Sequence, residues 1–205
     1  MDKYQILGII SQVVTVGSAI PYILGIIRGV IVPNRVTWAI WSVVGITLWF
    51  TTWANPNSDS ITVMFAFILA FNPTVVFILT FWKGSTEPIS KMEKAAILIA
   101  TSAIATWLFT KNNPGILPTL FAILADICAL VPTIRFVNNN PDQDRPTAWI
   151  LFMIGSILAI SGVKLWNMDS LILPIYMTIG SFFIVIHWYI IGLKIKPHYA
   201  NGFKK

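Results

Sequence analysis

Long apolar runs constrain this chain more than any other feature of its sequence. Seven runs carry no charged residue apart from one aspartate, and they cover residues 4–27, 36–54, 60–82, 95–110, 116–134, 146–163 and 170–193. A helix of about 20 apolar residues is long enough to cross the hydrocarbon core of a bilayer. The sequence therefore predicts an all-α polytopic membrane protein with seven transmembrane helices.

Composition excludes several other classes. Hydrophobic residues make up 56% of the chain and charged residues only 11%, whereas soluble domains carry roughly 25% charged residues. The net charge of +6 does not indicate nucleic-acid binding, because the charges lie between the apolar runs. The single cysteine, Cys128, excludes an internal disulfide and a cysteine-only metal cluster. No motif for a phosphate, a metal or hydrolysis is present, so we expect no cofactor and no enzymatic activity.

The distribution of positive charge predicts the topology. If the amino terminus lies outside, eleven of the fourteen lysines and arginines fall on the cytoplasmic side, as the positive-inside rule requires. Only Lys3, Lys111 and Lys164 remain outside. We therefore expect an integral protein of the plasma (inner) membrane, with the amino terminus outside and the carboxyl terminus in the cytoplasm.

The first three and last three runs share sequence features that indicate an internal repeat. Pro21 and Pro132 are separated by the same number of residues as Trp38 and Trp149. The pair Asp59-Ser60 recurs as Asp169-Ser170, with a separation one residue shorter. The chain therefore divides into a three-helix repeat over residues 1–83, a linker helix over 84–112, and a second three-helix repeat with a basic tail over 113–205. One intervening helix makes the repeats parallel, and such repeats commonly hold a substrate site at their interface near the midplane.

Matching stripes of small and polar residues run along the first and fifth runs. Steps of three and four place each set on one helical face: Gly8, Ser11, Thr15, Ser18 and Tyr22, and Thr119, Ala122, Asp126, Ala129 and Thr133. Two interpretations remain open for these stripes. They fit either close helix packing or the lining of a water-filled cavity.

Three residues are candidates for binding a solute. Asp126 is the only acid inside a run. A carboxylate inside the membrane is expected to face the interior of the helix bundle, where it has either a functional role or a structural hydrogen bond. Asn72 stands beside Pro73 near the centre of the third run, where the proline removes a backbone donor. Trp49 lies on one helical face with Trp38 and Gly45, away from the interfacial positions that explain most of the other tryptophans.

Prolines within the runs are candidate hinges. Pro21, Pro73 and Pro132 each interrupt the backbone hydrogen bonding of a predicted helix. They predict bends that either move during transport or remain as static kinks healed by neighbouring helices.

The three-one-three plan, with Ile20-Pro21-Tyr22 and Val131-Pro132-Thr133, resembles the SWEET and PQ-loop transporter superfamily over essentially the whole chain. The resemblance implies that an asparagine of the third helix, here Asn72, and a tryptophan, here Trp49, bind the substrate. The family's second asparagine is absent, since aligning Asp59-Ser60 with Asp169-Ser170 places Phe182 at the position equivalent to Asn72. Transporters of the nicotinamide riboside type have a similar fold and bind an aromatic heterocycle with a ribose.

These features together predict a transporter or facilitator of a small polar, sugar-like metabolite that works by alternating access between the repeats. Its partners would be the lipid bilayer and the solute, with self-association left open. Two alternatives remain, namely vitamin or nucleoside uptake of the nicotinamide riboside type, and a membrane receptor or assembly protein that transports nothing.

Overall fold

The computed structural model describes residues 2–85, 88–110, 116–139 and 146–200, without the side chains of 132, 133, 135–139 and 191–200. Every regular element in this described part is an α-helix. The helices are α1 Lys3–Ser18, α2 Ile20–Ile27, α3 Arg35–Ala54, α4 Ser60–Lys83, α5 Lys91–Thr110, α6 Leu117–Asn139, α7 Pro146–Gly162 and α8 Met168–Ala200. They coincide with the seven predicted runs, with α1 and α2 sharing the first.

Five helical segments are long and apolar enough to cross a membrane, namely Lys3–Ile27, Arg35–Ala54, Ser60–Lys83, Lys91–Thr110 and Met168–Ile190. Two shorter apolar segments are Leu117–Val131 and Pro146–Gly162. The outward faces of the long helices are apolar: Phe109 of α5 is 91% exposed, Leu98 of α5 69% and Val13 of α1 66%. An exposed apolar surface of this extent is what a surrounding apolar phase or partner would cover.

Helix contacts follow the same pattern in the two halves of the chain. Helix α3 packs against α4, and α7 packs against α8. Across the halves, α1 packs against α7, and α6 packs against α3. Helix α5 packs against α6 and α3, so it flanks the other helices rather than joining this pattern.

The prolines differ in their effect on the helices that contain them. The first run is interrupted at Ala19, whose N–H donates to the Val16 carbonyl at 3.3 Å, and Pro21 follows in the first turn of α2, where a missing N–H is tolerated. Helix α4 continues through Pro73. Helix α6 likewise runs unbroken past residue 132, so of these three helical runs only the first is interrupted near its proline.

Small residues allow two pairs of helices to approach closely. A Cβ atom on Gly45 of α3 would collide with the Leu69 carbonyl oxygen of α4, which is the carbonyl that Pro73 leaves without a backbone donor. A Cβ atom on Gly155 of α7 would collide with the Thr15 hydroxyl of α1. Ser11 also donates to the Gly155 carbonyl at 2.7 Å. Much of the predicted α1 stripe therefore serves close packing.

The two ends of the helix array are distinct, and we name them by one residue each. At the Arg35 end, the N–H of Arg35 donates to the Ser85 carbonyl at 3.1 Å, and Thr37 donates to the buried Glu93 carboxylate at 2.7 Å. At the Asp59 end, Asn55 donates to Asp169 at 2.8 Å. The loops before α4 and α8 meet at this second end.

Asp59 holds those two loops together. Its side chain is 5% exposed and accepts the N–H of Ile61 at 2.9 Å, of Lys164 at 3.0 Å and of Leu165 at 3.1 Å. In the opposite direction, the Asn167 side chain donates to the Asn57 carbonyl at 2.9 Å. Each loop thus satisfies backbone groups of the other, and the Asp59 end is closed.

We expect Asp59→Asn to destabilise the protein by about 1–3 kcal/mol, because the amide NH₂ would face a buried N–H group in place of one carboxylate oxygen. The measurement is the thermal unfolding midpoint of the detergent-purified protein.

Asp2→Asn is the matched control at the same end. Asp2 is exposed and accepts from Lys164 at 2.6 Å, a hydrogen bond that lowers the pKa of the Asp2 carboxyl. Exposed pairs contribute little to stability, so this variant should unfold within error of the wild type. Equal midpoints for the two variants would contradict the role given to Asp59.

Candidate functional site

A cavity of about 130 Å³ lies between the helices. It is lined by residues of α1 to α4, α6, α7 and α8, and none of its described lining residues belongs to α5. They are Ser18, Ala19, Tyr22, Trp38, Trp41, Gly45, Leu48, Ile68, Leu69, Asn72, Pro73, Val76, Asp126, Leu130, Ala148, Trp149, Phe152, Tyr176, Met177, Gly180, Ser181 and Ile184.

The cavity extends from the middle of the helices toward the Arg35 end. Trp38 and Ala148 lie in the first turns of α3 and α7, which begin at that end. Toward the other end, the space between α1 and α7 is filled by Ser11 and Gly155, and the loops joined by Asp59 lie beyond it. The cavity therefore lies nearer to the Arg35 end than to the Asp59 end.

Several lining positions in the two halves of the chain are related by a constant separation in sequence. On α3 and α7, Trp38 and Trp149 both line the cavity. On α4 and α8, the separation of the lining residues makes Gly180, rather than Phe182, the counterpart of Asn72. Every lining position on α4 then has a counterpart on α8 at one constant separation: Ile68, Leu69, Asn72, Pro73 and Val76 match Tyr176, Met177, Gly180, Ser181 and Ile184.

Aromatic rings form a continuous wall of the cavity. Trp38 contacts Tyr22 with 5.0 Å between ring centroids, and it contacts Trp41 edge to face at 5.0 Å. Trp41 in turn meets Trp149 edge to face at 5.9 Å. Edge-to-face pairs are the favoured geometry for aromatic rings, so the three indoles brace one another.

Trp41 contributes a further feature to this wall. It is 9% exposed, and its indole N–H has no acceptor among the described residues. Buried polar groups usually find a partner. An oxygen atom of a bound solute is one such acceptor.

Asp126 and Tyr176 supply the acidic part of the cavity. The Tyr176 hydroxyl donates to Oδ2 of Asp126 at 2.7 Å, which joins α8 to α6. This bond fixes one carboxylate oxygen. The cavity lining itself, as far as the structure describes it, contains no lysine, arginine or histidine.

Asn72 has a structural partner as well as a place in the lining. The break at Ala19 diverts that residue's N–H away from the Thr15 carbonyl, and Asn72 donates to this carbonyl at 2.9 Å. The Ser18 hydroxyl donates to the same oxygen at 2.7 Å. The Asn72 amide therefore caps the broken helix, and this bond orients it.

The structure brings together Asn72, Pro73 and Asp126 of the predicted site residues. Trp49 lies outside the lining and packs against Phe50 and Phe67, with centroids at 5.0 and 5.1 Å. Pro21 lies between two lining residues without being one of them. The side chain of Pro132 lies outside the described residues.

The aromatic wall and Tyr176 were not among the site residues predicted from the sequence. A signal for Trp38 and Trp149 was present, because their separation equals that of the two prolines. Tyr176 carried no comparable signal, since its pairing with Asp126 depends on the packing of α6 against α8.

Comparison with protein-family models, with curated proteins and with solved structures found no match for this chain. Among the described residues, no group of histidine, cysteine, aspartate or glutamate side chains could hold a metal ion. The cavity is therefore the feature of the structure that bears on function.

We expect a coupled effect when Asn72→Ala and Ser18→Ala are combined. Either variant alone leaves one donor on the Thr15 carbonyl and should cost about 1 kcal/mol. The double variant leaves that carbonyl without a side-chain donor, so its loss should exceed the sum of the single losses. Unfolding midpoints of the four proteins measure this, and additive losses would contradict the capping role of Asn72.

Proposed function

We propose that this protein is an integral membrane transporter for a small polar solute. The observation that carries the proposal is the cavity, to which three helical segments from each half of the chain contribute lining residues. Substrate sites at the interface of two repeats are typical of secondary transporters. An assembly protein needs no such shared cavity.

Equivalent positions of the two halves also meet at the Asp59 end, which supports parallel repeats related by an axis along the membrane normal. Thr62 donates to the Ser170 carbonyl at 2.7 Å, and these residues have the same separation in sequence as the lining pairs of α4 and α8. The helices before and after them pack in matching pairs. In the proposal, α5 is the linker between repeats 1–83 and 113–205.

Embedding in a bilayer is supported by the apolar outward faces and the long apolar helices. The positive-inside rule assigns the Arg35 end to the cytoplasm, because Arg28, Arg35 and Lys83 lie there. The amino terminus would then be outside, in the plasma (inner) membrane. Lipid is the proposed partner over most of the surface.

Alternating access gives the mechanism. The cavity lies toward the cytoplasmic side while the Asp59 end is closed, so this arrangement corresponds to an inward-facing state. Rocking of the repeats would break the contacts of Asp59 with the loop before α8 and close the helices around Trp38 and Trp149. The break at Ala19 is the proposed hinge of the first repeat, together with Pro21; Pro73 and Pro132 stay candidate hinges.

The cavity also assigns the binding roles. Asn72 and the Asp126–Tyr176 pair would hydrogen-bond the solute. The aromatic contact with the substrate, which the resemblance implied for Trp49, belongs in this proposal to the wall of Trp38, Trp41 and Trp149.

Filling the cavity should stop transport without removing any contact. A Cβ atom on Gly180 meets no atom within 4 Å, and Gly180 lines the cavity. We expect Gly180→Phe to reduce solute uptake into proteoliposomes at least tenfold. The probes are radiolabelled glucose, uridine, nicotinamide riboside, alanine and choline.

Gly17→Phe is the matched control, since Gly17 also has open space around its Cβ position but is not part of the lining. It should retain uptake. Saturable uptake that survives Gly180→Phe would contradict this cavity as the route, and no uptake of any probe by folded wild-type protein would favour a receptor or scaffold.

A further inference from the structure

The one acidic side chain in the described lining of the cavity, Asp126, has no cationic side chain beside it in that lining. The Tyr176 hydroxyl donates to one of its two oxygens and, being neutral, does not balance the charge of the ionised carboxylate. An ionised carboxylate at membrane depth is costly, and a bound cation would lower that cost.

Cations outside the lining are poorly placed to neutralise Asp126. Arg35 donates to the Thr80 carbonyl at 2.9 Å and lies over the Phe81 ring at 4.7 Å. Lys83 lies over the Trp82 ring. Arg135 is nine residues along α6 from Asp126, a rise of about 13 Å in a helix. The ion pair among the described residues is Lys164–Asp2, so no described cation pairs with Asp126, and a cationic solute would balance its charge.

The aromatic wall suits the same type of solute. Trp38, Trp41 and Trp149 all line the cavity, and neighbouring indoles meet edge to face with their planes nearly perpendicular. The face of an indole carries negative potential and attracts ammonium groups, most strongly where water is excluded. Recognition of quaternary ammonium groups by clustered aromatic rings is an established use of this interaction.

The volume limits the size of the solute. A cavity of roughly 150 Å³ lined by apolar side chains binds benzene, and the cavity here is about 130 Å³. A solute of about five to eight non-hydrogen atoms fits that space. A disaccharide does not.

We propose that the solute is a small organic ammonium ion, with its charge beside Asp126 and its alkyl groups against Trp38, Trp41 and Trp149. An oxygen on the same molecule would accept from Asn72 or from the Trp41 indole N–H. This inference rests on the proposed transport function and names its substrate class.

The test compares two molecules of the same shape that differ in charge. Choline and its neutral carbon isostere 3,3-dimethylbutan-1-ol are titrated into detergent-purified full-length protein, with tetramethylammonium and ethanolamine as further ammonium probes. Binding is followed by tryptophan fluorescence and by the shift of the unfolding midpoint. At least one ammonium probe should bind, and choline should bind at least tenfold more tightly than its isostere.

Asp126→Asn should weaken ammonium binding at least tenfold while leaving any binding of the isostere unchanged; Asp2→Asn, at the exposed Asp59 end, should have no effect. Should Asp126→Asn fail to fold, Trp149→Leu takes its place, with Trp49→Leu as the control outside the lining. Trp149→Leu should weaken choline binding at least fivefold, and Trp49→Leu should not.

Equal binding of choline and the isostere, unchanged binding in both lining variants, or no ammonium binding by folded protein would each overturn the inference. These results leave the proposed transport function testable by itself. If Gly180→Phe blocks the uptake of a neutral solute and no ammonium ion binds, the transport proposal stands and the ammonium proposal is wrong. If the folded protein shows no uptake and no binding of any probe, both proposals are wrong.

Discussion

The buried carboxylate of Asp59 is the interaction on which the rest of this structure depends. It caps α4 through the N–H of Ile61 and also binds two backbone N–H groups of the loop before α8. Backbone groups cannot remain unpaired where water is excluded. One side chain therefore satisfies donors from both halves of the chain and joins the loops at one end of the helices, and the cavity between the helices lies toward the other end.

Close helix packing extends that closure toward the middle of the protein. Ser11 and Thr15 of α1 contact Gly155 of α7, and the α1 stripe changes its role at the break at Ala19. Before the break, Ser11 and Thr15 fill the space between helices. Ser18, next to the break, and Tyr22, beyond it, line the cavity. The break at Ala19 thus lies where the run changes from packing residues to cavity-lining residues, and Asn72 stabilises this boundary through the Thr15 carbonyl.

Much of this could be predicted from the sequence, because a bilayer-length apolar run bounded by charge has few alternatives to a helix. The helix bounds, the break near Pro21 and the two possible roles of the α1 stripe follow from local properties. Asp126 and Asn72 could be predicted as site residues because strongly polar side chains are rare in such runs.

Which tryptophans of α3 line the cavity depends on the rotation of that helix about its axis, which the sequence does not determine. Trp38, Gly45 and Trp49 share a face under steps of four and three, while the observed lining of Trp38, Trp41, Gly45 and Leu48 follows steps of three and four. Both sets satisfy helical periodicity, and only packing of α3 against α4 and α6 decides between them. Likewise, Asp59 and Asp169 look equivalent in sequence. In the structure, however, the residue that caps α8 as Asp59 caps α4 is Asn167, whose side chain accepts the Ser170 N–H at 2.9 Å.

The most direct test of the central claim, a cavity shared by both halves and open toward the Arg35 end, is the side from which Gly180→Cys reacts with a membrane-impermeant thiol reagent. The native Cys128 is first replaced by serine, and exposed Lys83→Cys and Lys164→Cys variants report the two faces. The account predicts that Gly180→Cys reacts from the face that labels Lys83→Cys, and that buried Ser11→Cys does not react. Reaction of Gly180→Cys only from the Lys164 face, or equal protection of both positions, would contradict it.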